Sequence, residues 1–210
     1  MTEPTRLRLH RFPLSGHSHR AELMLSLLGL RAELVHVDLP GGEHKQPAFL
    51  AKNRFGQVPV LEDGALTLSD SNAILVYLAE RYDEAQRYWP RDPARRAQVQ
   101  RWLSVAAGQL AAGPAAARLV RVFNAPLDHA SALKKAHDLF GVLEKELSTR
   151  PFLVEETATL ADIALYTYTA HAPEGNVSLA DYPALRGWLA RIEALPGFVP
   201  MQPSKAGLAA

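Results

Sequence analysis

At 210 residues, with 48% hydrophobic residues, 21% charged residues and a net charge of +1, the chain is long enough for one or two domains, each with a substantial core. That balance excludes a disordered tail and a nucleic-acid-binding surface built on excess positive charge. No cysteine is present, which excludes disulfides, thiolate metal sites and a cysteine nucleophile.

The segment Met1-Thr2-Glu3-Pro4-Thr5-Arg6 carries no apolar signal region, and no apolar run is long enough to span a bilayer. A cytoplasmic location and no membrane partner are expected. Leu7 and Leu9 alternate with charged residues and predict a first strand. Ala21, Met24, Leu25 and Leu28 follow helical spacing, and Gly29 with apolar Leu30 beyond it is a helix-ending pattern. Leu34 to Val37 predicts a second strand, Gly41-Gly42 opens a loop, and Pro47 to Lys52 is a short helix candidate.

Gln57-Val58-Pro59-Val60-Leu61 and the run ending at Leu68 predict two further strands around Gly64. Pro59 lacks an N–H and belongs at a strand entry or tight turn. For an X–Pro bond the cis form costs only about 0.5–1 kcal/mol, and a cis Val58–Pro59 would turn the Val58 N–H and C=O toward an extended peptide. Asp70-Ser71-Asn72-Ala73-Ile74 then opens a helix whose inward face is expected to be Ile74, Tyr77, Leu78 and Tyr82. A helix start offers unpaired N–H groups, a hydroxyl and a positive dipole to an incoming carboxylate. Taken without their neighbours, the same residues also fit an ordinary strand–turn–helix capped by Ser71. The order β-α-β-α-β-β-α describes a small sheet with helices packed on it.

Beyond the polar stretch Asp83 to Arg91 the pattern is helical throughout. Asp92-Pro93 combines an N-cap with proline at the first helical position. Val99, Trp102, Leu103, Ala106 and Leu110 form one stripe, which Pro114 should kink or restart. Ala136, Leu139, Phe140, Leu143 and Leu147 form the next stripe. Thr159-Leu160-Ala161-Asp162 is a capping box with Asp in place of the usual Glu, and Tyr182-Pro183 opens a last helix that Pro196-Gly197 ends. Trp102 and Trp188 are expected in the core. Arg95, Arg96, Arg118 and Arg121 are expected on helix faces turned to solvent or to a cleft. His17 and His19 lack a third ligand at a sensible spacing, so no metal is expected, and both are read as solvated loop residues.

An α/β thioredoxin-like half (residues 1–82), a connector (83–91) and an all-helical half (92–210) together resemble the soluble glutathione S-transferases. Three motifs carry the resemblance in family order: Gln57-Val58-Pro59, Asp70-Ser71-Asn72-Ala73-Ile74-Leu75 and Thr159-Leu160-Ala161-Asp162-Ile163-Ala164. The resemblance implies a homodimer that binds glutathione in each first half, with a small hydrophobic electrophile bound partly by the helical half. It assigns Val58 to the cysteinyl backbone beside cis-Pro59, and Asp70 and Ser71 to the γ-glutamyl end, with Asp70 shorter than the family's usual Glu or Gln. Gly42-Glu43-His44-Lys45 looks like the theta-type loop in which His44 and Lys45 reach the glycine carboxylate, with help from Gln57. Gln109, Arg118 and Tyr166 fall where the family forms its electrophile site. Asp162 matches a structural, helix-capping carboxylate.

The loop after the first strand, Phe12 to Arg20, contains neither Tyr nor Cys, so the activating group is a serine. Ser15-Gly16-His17-Ser18-His19-Arg20 resembles the zeta-type loop, in which the first serine lies five residues before an arginine; this favours Ser15, with Ser18 as the rival. Theta-type spacing would place the hydroxyl at Gly16, which has none. The resemblance therefore implies a serine-type bacterial transferase of theta or zeta kind that activates the thiol of glutathione. Two alternatives share the fold: a glutathione-dependent disulfide reductase and a non-catalytic binding or regulatory protein.

Overall fold

The computed structural model describes residues 7–209, so the expectation about a leader in residues 1–6 lies outside the described residues. Two units form. One ends at Glu84 and takes in Pro196–Gln202, while the other comprises Ala85–Leu195 and the chain from Pro203 onward. Among the described residues no helix is long and apolar enough to cross a membrane.

The first unit runs β1 (Leu7–Arg11), α1 (Gly16–Leu27), β2 (Ala32–His36), a 3-10 turn (Glu43–Lys45), α2 (Pro47–Leu50), β3 (Val60–Asp63), β4 (Leu66–Ser69) and α3 (Ser71–Tyr82). The sheet order is β2-β1-β3-β4. β1 pairs parallel with β2, which needs the helical crossover through α1, and antiparallel with β3. Leu9 sits opposite both Leu34 and Leu61. Leu9, Leu23, Met24, Leu61, Ile74, Leu75 and Leu78 are fully buried. Burying each such side chain is worth about 1.5–3 kcal/mol, which fixes α1 and α3 against the sheet. A smaller cluster of Val37, Phe49 and Val60, flanked by Leu39 and Val58, seats α2 and the segment before β3.

α1 ends as its sequence predicts: Gly29 has a φ of +67°, its N–H donates to Ser26 O, and Leu30 N–H donates to Leu25 O. The segment Pro196–Gln202 lies along α1, where Ser26 Oγ donates to Gly197 O at 2.6 Å and His19 Nε2 donates to Val199 O at 2.8 Å. The expected face of α3 needs correction. Its buried residues are Ile74, Leu75, Leu78 and Ala79, whereas Tyr77 and Tyr82 stay half-buried because their hydroxyls donate to Asp63 Oδ2.

The second unit runs α4 (Pro93–Val105), a π-helix (Ala106–Ala115), α5 (Ala116–Phe123), α6 (His129–Leu147), α7 (Leu160–Ala170), a 3-10 turn (Ala172–Gly175), α8 (Pro183–Glu193) and a 3-10 turn (Gly207–Ala209). The interruption expected at Pro114 takes the form of π turns, with no gap between α4 and α5. Proline cannot close the i→i−4 bond and its ring crowds that carbonyl, and a wider turn relieves both effects. Val99, Trp102, Leu103, Leu110, Ala136, Phe140 and Leu143 fill the core with Trp188. The Asp162 carboxylate accepts from Thr159 N at 2.8 Å, Leu153 N at 2.9 Å and Trp188 Nε1 at 2.9 Å, which completes the predicted capping box.

Candidate active site

The first turn of α1 carries both candidate serines. Ser15 is the N-cap, with φ −87° and ψ 115°, and its Oγ accepts from Ser18 N at 3.3 Å. This uses a lone pair and leaves the hydroxyl hydrogen to donate elsewhere. Ser15 is half-buried, whereas Ser18 is fully buried and its Oγ accepts from Phe12 N at 3.2 Å.

Asp70 caps α3, its Oδ1 accepting from Ala73 N at 2.8 Å. Its φ of +75° is unusual for a residue with a side chain and stores about 1–3 kcal/mol of strain, the kind of outlier that gathers at functional sites. The next residue, Ser71, is buried, and its Oγ accepts from Arg20 Nη1 at 2.8 Å. The same Nη1 donates to Asn72 Oδ1 at 2.9 Å. His17 Nδ1 lies 3.0 Å from Ser71 Oγ and 3.4 Å from Arg20 Nη1. Burial and the neighbouring Arg20 charge press the His17 pKa down to about 3, so the ring is neutral near pH 7.

The reading of His17 and His19 as solvated is therefore corrected. His19 is buried against Val199, and His17 turns inward to Ser71 because α3 supplies a partner that no local pattern reveals. Arg20 stands out in the sequence only as the arginine five residues after Ser15, and its contact with Ser71 is not legible there. Its spacing of three residues from His17 places both on one helix face.

The loop before β3 forms the other part of the site. Val58–Pro59 is cis, Pro59 is buried, and Val58 precedes Val60, the first residue of the β3 ladder. Asn53 holds the loop, donating from Nδ2 to Gln57 O at 2.7 Å and accepting from Phe55 N at 3.1 Å. Lys45 Nζ donates to Phe55 O at 3.4 Å and Gly56 O at 3.2 Å, so the 3-10 turn bearing His44 and Lys45 is tied to this loop. Gln57 is exposed. Hydrogen bonds thus link Ser71 to the start of α1, and Lys45 to residues 55–56.

The three residues assigned to an electrophile site lie in the helical unit and behave differently. Gln109 is exposed on the π-helix. Arg118 does not face solvent or a cleft as expected, because it is buried in an ion pair with Glu174. Tyr166 is buried too; its hydroxyl donates to Glu193 Oε1 at 3.0 Å, and burial together with the Glu193 charge raises its pKa well above the usual phenol value.

A thioredoxin-like unit with a cis-proline before its third strand, continued by an all-helical unit, is the glutathione S-transferase fold. Residues 9–86 match the glutathione S-transferase N-terminal domain, and residues 118–196 match the glutathione S-transferase C-terminal domain. Glutathione S-transferase 3 of Zea mays is 34% identical over 91% of this chain and 91% of its own length. A solved glutathione S-transferase from Pseudomonas fluorescens superposes with a TM-score of 0.87 at 36% identity, covering 93% of this chain and 98% of that one. A glutathione transferase homolog from Drosophila mojavensis, solved with bound glutathione, superposes with a TM-score of 0.83 at 25% identity, covering 91% of this chain and 89% of that one. The chain belongs to the glutathione S-transferase family.

Proposed function

We propose that the protein is a serine-type glutathione transferase, active as a cytoplasmic homodimer, that conjugates the thiolate of glutathione to a small hydrophobic electrophile. Ser15 donates its hydroxyl hydrogen to the sulfur. Val58, beside cis-Pro59, pairs with the cysteinyl backbone. Asp70 and Ser71 take the γ-glutamyl end, and His44, Lys45 and Gln57 take the glycine carboxylate. Gln109 meets the electrophile. Residues 1–82 form the glutathione-binding domain, 83–91 the connector and 92–210 the helical domain, except that Pro196–Gln202 packs with the first unit.

The observation that carries this reading is the contrast between the two serines. Each oxygen accepts one main-chain N–H, but Ser18 is fully enclosed, whereas Ser15 at the N-cap of α1 is only half-buried, so its hydroxyl hydrogen can reach an incoming sulfur. The energetics need no base. A thiol of pKa about 8.5 is mostly protonated at neutral pH. Lowering it by two units requires about 2.7 kcal/mol of preference for the anion. A hydrogen bond to a charged acceptor supplies about 1.5–3 kcal/mol, and a helix N-terminus adds about 0.3–1 kcal/mol.

The test is Ser15→Ala, assayed with glutathione and a chlorinated aromatic acceptor. Turnover should fall roughly 10- to 100-fold while glutathione binding persists. Unchanged turnover would remove Ser15 from the mechanism. Activity on a small disulfide with none on the aromatic halide would replace conjugation by disulfide reduction at the same site.

A further inference from the structure

We infer that Pro196–Gln202 is a strap that positions Ser15, and that His19 and Ser204 are the positioning residues at its two ends. His19 grips the strap from the first turn of α1. Ser204, just beyond the strap, fastens it to the buried Arg118–Glu174 pair. The carboxyl-terminal chain thereby sets where the start of α1 stands. This rests on the reading of Ser15 as the partner of the thiolate and adds what holds that serine in place.

Leu195 belongs to the helical unit, Pro196–Gln202 to the first unit, and the chain from Pro203 onward to the helical unit again. Within the first unit, two side chains of α1 donate to main-chain carbonyls of this segment. A carbonyl can only accept, so Nε2 of buried His19 bears a hydrogen and donates it to Val199 O at 2.8 Å. Ser26 Oγ donates to Gly197 O at 2.6 Å. His19 and Ser26 are about two helical turns apart and so lie on one face of α1. Gly197 has a φ of +87°, and a Cβ there would lie 2.8 Å from Ser26 O, so the strap backbone is seated directly on the helix backbone. Met201 is buried near the end of the strap.

The link to Ser15 is direct. The His19 N–H donates to Ser15 O at 2.9 Å, so the residue that grips the strap also closes the first backbone bond of the helix onto its N-cap. Apolar packing of α1 on the sheet is non-directional and leaves a helix free to slide or roll. Two directional bonds to the strap remove that freedom. A misplacement of about 1 Å can cost a reaction roughly 100-fold, so a small movement of the helix start weakens the bond from Ser15 to sulfur. The other end is fixed within the helical unit. Ser204 donates to Glu174 through its N–H at 3.2 Å and its hydroxyl at 2.6 Å, and Glu174 is paired with Arg118. A Cβ at Gly207 would lie 2.6 Å from the carbonyl oxygens of Pro173 and Glu174, so the tail beyond Ser204 sits on the same 3-10 turn.

The test compares the full chain with His19→Leu, His19→Gln, Ser204→Ala and, as a control at an exposed tail position, Lys205→Ala. Two quantities are read: the pH at which bound glutathione becomes thiolate, followed by ultraviolet absorbance, and kcat with the chlorinated aromatic acceptor. His19→Leu should raise the pKa of the bound thiol by about one unit and lower kcat about tenfold near neutral pH, while glutathione still binds. Ser204→Ala should move both in the same direction, by about threefold in kcat. His19→Gln, whose amide N–H replaces the Nε2 donor, should restore most of the wild-type behaviour, and Lys205→Ala should match wild type. Adding His19→Leu to Ser15→Ala should cost little more, because the strap acts through Ser15. Fully additive losses would overturn the inference. So would an unmoved thiol in either His19→Leu or Ser204→Ala, whatever the loss of thermal stability, since a merely structural tie lowers stability alone. Should His19→Leu fail to fold, Ser204→Ala decides the matter. A bound thiol moved by Ser15→Ala but by neither end of the strap refutes the strap alone. A thiol that Ser15→Ala leaves unmoved refutes the reading of Ser15 and the strap together.

Discussion

Arg118 Nε donates to Glu174 Oε2 at 2.7 Å, with the two side chains only 1% and 3% exposed, so α5 is anchored by a charged pair almost out of reach of water. Glu174 also accepts from His171 Nδ1 at 2.6 Å and from Ser204 through its N–H at 3.2 Å and its hydroxyl at 2.6 Å. Burial by itself would raise the Glu174 pKa. The hydrogen bonds from His171 and Ser204 and the Arg118 charge outweigh it and hold the carboxyl at about 2.

Removing one partner leaves the other charge buried and uncompensated. Glu174→Ala should therefore lower the unfolding free energy by about 3–5 kcal/mol in denaturant titrations. Pairing Arg118→Met with Glu174→Leu should recover most of that loss, since an apolar pair of similar volume carries no desolvation penalty. A single variant within 1 kcal/mol of wild type, by the same principle, would show that the pair is not closed to water.

Glu62 is the acidic centre of the sheet unit and predicts an acid-side signature. It takes hydrogen bonds from Lys52 and from His10 Nε2, the latter at 2.9 Å, and Arg8 Nη1 lies 3.0 Å away. The Lys52 and His10 bonds lower its pKa from 4.5 to about 2. A carboxyl held lower in the folded state contributes fully above pH 4.5, and that contribution disappears as pH falls toward 2. Stability measured against pH should decline across this window, and Glu62→Gln should flatten the decline. Some slope should remain in that variant, because Glu174 titrates in the same sense. An unchanged profile in Glu62→Gln would show that these bonds do not survive in solution.

Gly113 decides how closely the π-helix approaches α6. A Cβ placed there would lie 2.8 Å from Ala136 N and 3.0 Å from Ala136 Cα, both backbone atoms that cannot swing aside. Gly113→Ala should consequently destabilise the chain by about 1–3 kcal/mol, even though alanine favours helix. Thermal unfolding reads this directly; a stabilised variant would mean that the two helices separate easily.

Much of the architecture is legible in the chain because it is decided within a few residues. Asp92-Pro93, Thr159 with Asp162, and Gly29 with Leu30 each mark a helix end through groups that meet their own neighbours, and each forms as read. Val58–Pro59 belongs to this set, since a residue without an N–H has few places in a sheet. The apolar stripes of α4 and α6 likewise face inward, because helical periodicity alone selects their side.

What the chain pattern could not supply was the partner of each polar side chain. Arg118 and Arg121 look alike in sequence, yet Arg118 is buried against Glu174, 56 residues away, while Arg121 stays exposed. His17 reads as a solvated loop residue until α3 brings Ser71 to within 3.0 Å of it. Backbone propensity and periodicity act over one or two turns and are written in consecutive residues. The burial and protonation of a side chain are set by whatever distant segment folds over it, and only the assembled tertiary structure determines that.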